Sequence, residues 1–110
     1  ELEQRGLLDS TTVIWMGEFG RTPQINSNQG RDHFPKAWSC VLGGAGIRGG
    51  QVIGRTSADG QEIEERPVDQ GHVLATLCQA AGVDPSSENI TALGRPVKIV
   101  DAKPIDELLA

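Results

Sequence analysis

The sequence predicts an α/β fold: a mostly parallel sheet, a small hairpin at one side, and a helix packed against the sheet. Three stretches carry that expectation. Thr11-Thr12-Val13-Ile14-Trp15-Met16 is β-branched and apolar, as a strand buried on both faces is. Ser57-Ala58-Asp59-Gly60 places an Asp-Gly turn signal between two short extended runs. Val68-Asp69 reads as the entry of a helix in which Gly71 to Ala81 has apolar residues at helical spacing, stopped by Gly82, with Pro85 beyond.

Taken in order, Glu1 to Asp9 reads as the last turn of a helix running into Gly6, with no start signal and no initiator Met before it. Residues 1–110 are therefore expected to form the carboxyl-terminal fragment of a single larger domain. After the first strand, residues 17–36 hold Gly17, Gly20, Pro23, Asn26, Asn28, Gly30 and Pro35, which predicts a long functional loop without regular structure. Ala37 to Leu42 reads as a second buried strand. The run Gly43 to Gly50 lacks the G-x-G-x-x-G order of a dinucleotide site and the lysine of a P-loop, so it reads as a tight connection.

Gln51 to Thr56 and the charged segment Glu62 to Pro67 are the arms of the expected hairpin, the second of them an exposed edge. In the helix, Val73, Leu74, Leu77, Cys78 and Ala81 form the stripe expected to face the sheet. Leu93 to Val100 holds a last short strand or extended arm, and Pro104 to Leu109 a last helical turn. No internal repeat or low-complexity segment occurs.

Composition narrows the class. A chain of 110 residues has room for one domain at most, and 37% hydrophobic residues is thin for a self-sufficient α/β core. The formal charge of −5, without a Lys/Arg cluster, argues against nucleic acid or an anionic membrane as partner. No apolar run is long enough to span a bilayer or act as a signal peptide. Cys40 and Cys78 sit in apolar surroundings without Cys-x-x-Cys spacing, so both read as buried free thiols, with a disulfide or metal pair as the alternative.

Chemistry concentrates in Gly17-Glu18-Phe19-Gly20-Arg21-Thr22-Pro23 and Gly30-Arg31-Asp32-His33, directly after the first strand. Open α/β folds place their sites at the carboxyl ends of parallel strands. Asp32 and His33 are the candidate metal donors, a hard oxygen and a borderline nitrogen that suit a divalent ion such as zinc, manganese or calcium. The alternative is that Asp32 holds the His33 ring while His33 packs on Phe34 or Trp38. Glu18 is either a ligand or general base, or the ion-pair partner of Arg21 or Arg31. Arg21 is the candidate oxyanion binder, its planar fork matching sulfate, phosphate or carboxylate oxygens; the alternative is an internal clamp with Glu18. His72, at the start of the helix, reads mainly as a solvent or loop contact. No Ser, Thr or Cys has a base beside it, so any nucleophile is expected outside these residues.

The order of these motifs resembles the carboxyl-terminal part of a bacterial family called domain of unknown function 1501. The matching pieces are the strand followed by Gly17-Glu18-Phe19-Gly20-Arg21-Thr22-Pro23, then Gly30-Arg31-Asp32-His33, then Trp38-Ser39 with Val41-Leu42-Gly43-Gly44, then Leu74-Ala75-Thr76-Leu77 and Leu93-Gly94-Arg95-Pro96. The resemblance covers nearly all of residues 5 to 109. It implies a sulfatase-like protein of the alkaline phosphatase superfamily: a partial α/β/α sandwich with metal ligands and an anion site at the edge of the sheet. It also implies export by a twin-arginine signal and a periplasmic or extracellular setting. In that superfamily an Asp-His pair commonly binds one metal where Glu18-Phe19 stands here, and Phe19 has no donor. His33 resembles the later histidine of the second metal site.

Two functions follow. The first is a metal-dependent hydrolase of sulfate or phosphate esters, of a small molecule or a polysaccharide, with Glu18 and Arg21 in catalysis and Asp32 and His33 on the metal. It would work with the amino-terminal remainder of the same protein. The second is a non-catalytic anion- or glycan-binding scaffold that keeps the fold.

Overall fold

Fourteen glycines and six prolines interrupt the chain, and no strand exceeds five residues. The computed structural model describes residues 1–110. Its elements are β1 (Thr12–Met16), β2 (Gly20–Arg21), β3 (His33–Phe34), β4 (Cys40–Gly44), β5 (Arg55–Thr56), β6 (Ile63–Glu65), α1 (Gln70–Ala80), β7 (Glu88–Ile90) and β8 (Pro96–Lys98). Single 3-10 turns cover Leu8–Ser10 and Asp106–Leu108.

The strands form four separate two-stranded ladders, β1–β4, β2–β3, β5–β6 and β7–β8. The last three are antiparallel. The expected mostly parallel sheet and α/β/α sandwich are therefore absent. A sandwich needs helices on both faces of a continuous sheet, whereas this chain supplies one α-helix and ladders only two strands wide. β1, expected to be buried, leaves Val13, Met16 and above all Trp15, 77% exposed, open to solvent. The apolar composition of that run reports strand propensity correctly and burial wrongly.

The chain divides into two compact units. One comprises Glu1–Val13, Leu42–Gln51 and Val68–Ala110. Its core is Ile47, Val73, Ala75, Thr76 and Ile105. Helix α1 starts where expected because Asp69 caps it: the carboxylate accepts the His72 N–H, and the His72 ring reaches back to the Asp69 backbone. It stops at Gly82, with the Val83 N–H returning to the Cys78 carbonyl at 2.8 Å.

The buried face of α1 is rotated from the expected stripe. Val73 is buried as expected, but Ala75 and Thr76 are buried where Leu74 and Ala81 are exposed, and Leu77 and Cys78 are half-buried. The reason is polar. Thr76 Oγ1 donates to the His72 carbonyl at 2.7 Å and accepts the Ile105 N–H at 2.8 Å, which draws the carboxyl-terminal segment onto that side of the helix. That segment is tied in further by Arg48 N–H to the Leu108 carbonyl and Ala110 N–H to the Gly46 carbonyl. Gly46 has φ +74°, and a Cβ there would lie 2.6 Å from the Ala80 carbonyl oxygen. Only glycine satisfies both conditions. The hairpin β7–β8 pairs Glu88 with Lys98 and Ile90 with Pro96 and is exposed throughout, so the tail strand expected near Leu93 to Val100 has a partner that the sequence did not disclose.

The second unit comprises Ile14–Val41 and Val52–Pro67. Hairpin β5–β6 forms as expected, with Arg55 opposite Glu65, but it is shorter than expected and extends no sheet. Its turn is closed by Ser57 N–H to the Glu62 carbonyl, and the Asp59 carboxylate accepts from the Ser57 hydroxyl and the Gln61 N–H. The hairpin touches residues flanking the β2–β3 ladder: Glu62 pairs with Lys36 Nζ at 2.7 Å, and Gly60 lies beside the Pro23 ring.

Candidate functional site

The segment expected to be an irregular loop contains the antiparallel ribbon β2–β3, in register Gly20 to Phe34 and Arg21 to His33. Thr22 N–H to the Asp32 carbonyl, at 3.0 Å, extends the pairing by one residue. Gly20 is required here by proximity, because a Cβ would run into the Ala37 carbonyl.

Residues opposite one another across a ladder project from the same face, so Arg21 and His33 share one. The Phe19 ring stacks on the His33 imidazole with centroids 3.8 Å apart and planes 27° apart. The Arg21 guanidinium lies over the Phe19 ring at 5.1 Å, a cation–π distance. The ribbon thus holds imidazole, phenyl ring and guanidinium in one group.

Arg31 precedes β3 by two residues and folds its side chain back onto the other arm of the ribbon. Its Nη1 donates to the Thr22 and Pro23 carbonyls at 2.7 and 2.6 Å, while Arg21 Nη1 donates to the Arg31 carbonyl at 3.3 Å. Neither arginine pairs with a carboxylate. Glu18 is exposed and forms no hydrogen bond or ion pair, so the alternative in which it pairs with Arg21 or Arg31, the internal Arg21 clamp included, does not form.

Asp32 goes elsewhere. Its Oδ1 accepts from Asn26 Nδ2 at 2.8 Å, and its N–H donates to Thr22 Oγ1 at 3.0 Å. Asn26 is the hub of the turn between the strands: its Oδ1 accepts the N–H groups of Asn28 and Gly30, and its own N–H meets the Gly30 carbonyl. This Asx geometry accommodates Gln29 at φ +61°. The importance of Asn26 escapes an argument centred on charged residues. Its signal was present in the sequence as an Asn-rich stretch ending at Gly30.

The two candidate metal donors, Asp32 and His33, do not converge. Adjacent residues of an extended strand point to opposite faces, and Asp32 turns to Asn26 while His33 turns to Phe19. No three His, Cys, Asp or Glu side chains gather anywhere in the chain, so residues 1–110 do not by themselves supply the three or four protein donors of a zinc site.

His72 is half-buried and belongs to the helix cap, with Nδ1 2.8 Å from Asp69 Oδ1. Cys40 and Cys78 are free and half-buried, and burial pushes the Cys40 thiol up from its ordinary value, so it stays protonated. No helix is long and apolar enough to cross a membrane.

The candidate site is thus an exposed ribbon that gathers two arginines, a histidine and an aromatic ring. The model of a family described as "Protein of unknown function (DUF1501)" matches residues 1–109. The chain belongs to that family. Searches of curated proteins and of solved structures return no match.

Proposed function

We propose that this chain supplies the oxyanion-recognising part of an exported, sulfatase-like hydrolase of sulfate or phosphate esters, with the nucleophile outside residues 1–110. The observation that carries the reading is the position of Arg21. It lies across the ladder from His33, over Phe19, with no carboxylate against its guanidinium. A guanidinium held in place and left without a counter-ion is suited to planar, bidentate contact with a sulfuryl or phosphoryl group. His33 adds a second polar group beside it, and Glu18, free of partners, is placed in the same segment as a base. Aryl sulfates and aryl phosphates offered to the full-length protein test the reading, with released anion measured against an Arg21→Gln variant. Turnover that falls at least about a hundredfold in the variant supports it, as removal of a charge-stabilising group does. Full-length protein that neither cleaves nor binds any of these esters overturns it.

A second reading is favoured by Phe19, which covers one face of the His33 ring. Here the ribbon is a non-catalytic anion- or glycan-binding surface. Under that reading His33→Ala leaves anion affinity unchanged and there is no turnover to lose.

A further inference from the structure

We propose that Arg31 joins Arg21 in a two-guanidinium cradle that selects doubly charged tetrahedral oxyanions, the phosphate monoester class, over singly charged sulfate esters. This rests on the oxyanion reading of the ribbon and deepens it.

Three observations lead there. First, Arg21 and Arg31 are linked directly, since the Arg21 guanidinium donates to the Arg31 carbonyl at 3.3 Å. Second, the chain neutralises several of its other cations: Arg5 pairs with Glu1, Lys36 with Glu62, Arg55 with Glu64 and Glu65, and Lys98 with Asp101. The two ribbon arginines, like Arg48, Arg95 and Lys103, have no carboxylate against them, but they alone of these lie together, in a protein whose net charge is −5. Third, both heads are anchored by neutral groups through Nη1, Arg31 by the Thr22 and Pro23 carbonyls and Arg21 by the Arg31 carbonyl and the Phe19 ring. Such anchoring leaves the Nε and Nη2 edge of each guanidinium, the edge that grips two oxygens of one anion. It also lowers the ordering cost of binding, because the side chains are already held.

Charge then discriminates. A phosphate monoester carries close to two negative charges above neutral pH, its second ionisation lying near 6. A sulfate ester carries one. Two unneutralised guanidinia match the first and exceed the second.

Isothermal titration of the full-length protein with phenyl phosphate and phenyl sulfate at pH 8 tests this, since the two probes share one aryl group. Phenyl phosphate is expected to bind about tenfold more tightly, an exposed charge contact being of that order. Arg31→Lys retains the charge and a donor for the carbonyls but loses the bidentate edge. It is expected to weaken phenyl phosphate about fivefold and leave phenyl sulfate within about twofold, with an unchanged melt. Arg31→Gln is expected to erase the preference. Equal binding of both probes by the wild type, or wild-type selectivity in Arg31→Lys, overturns the cradle while the oxyanion reading stands. Failure of both probes to bind overturns that reading itself.

Discussion

Arg21 stands directly opposite His33 across a two-residue ladder, and the Phe19 ring contacts both side chains. The geometry makes Phe19 the support of the group, although it carries no polar atom. Replacing Phe19 with Leu keeps apolar bulk but removes the π face. A cation–π contact at an exposed site contributes about 0.5–1 kcal/mol, so anion affinity through Arg21 is expected to fall roughly two- to fivefold. Titration with inorganic phosphate measures it. Unchanged affinity in Phe19→Leu would show that Arg21 is held by the Arg31 carbonyl alone.

Gly20 is where the ribbon meets the chain that follows it. A methyl group there collides with the Ala37 carbonyl, and backbone yields less readily than a flexible side chain. Gly20→Ala is expected to cost about 1–3 kcal/mol, the usual penalty of overpacking. It is also expected to weaken anion binding, because the β2–β3 register sets the Arg21–His33 pair. Urea denaturation gives the first quantity and titration calorimetry the second. Wild-type stability in this variant is incompatible with the close approach described.

In the first unit, Thr76 is fully buried and its hydroxyl accepts the Ile105 N–H. Thr76→Val preserves shape and removes the acceptor, leaving a buried donor unsatisfied. The expected destabilisation is about 1–3 kcal/mol. Amide exchange at Ile105 is expected to accelerate in the variant. Equal protection of that amide in both proteins contradicts the assigned role.

Acid stability follows from three aspartates held below the usual carboxylate range. Asp69 is held there by the His72 N–H and the His72 side chain, Asp59 by the Ser57 hydroxyl and the Gln61 N–H, and Asp84 by the Ser86 hydroxyl and N–H. Each titrates near its ordinary value, about 4, when the chain is unfolded. A carboxylate depressed in the folded state contributes stability that is fully present above the unfolded value and lost as pH falls through the folded one. The melting temperature is therefore expected to hold between about pH 7 and 5 and to fall below about pH 4. Asp69→Asn removes one of the three contributions and flattens that acid limb. An acid limb as steep in Asp69→Asn as in the wild type refutes the assignment to the helix cap.

Much of the local structure was legible. The Asp59-Gly60 turn, the start of α1 near Asp69, its stop at Gly82 and the final turn before Leu109 all appear, because turn and cap signals act over three or four residues. Burial was not legible to the same degree. Thr11 to Met16 has the composition of a buried strand, yet Trp15 is open to solvent, since burial depends on a second layer that no local signal announces. The stripe on α1 shifted for a similar reason: periodicity identifies the apolar side, but the hydrogen bond from Ile105 to Thr76 selects the face that is covered.

The sequence by itself determined where the chain turns, where its helix begins and ends, and which short segment collects Arg21, Asp32 and His33. Only the tertiary structure decided how those residues divide, with Arg21 and His33 on one face and Asp32 turned away to Asn26. The physical reason is register. Pairing across β2–β3 sets the face of every side chain, and that pairing depends on the turn at Asn26 to Gly30 and on the backbone approach at Gly20, both of which are three-dimensional contacts.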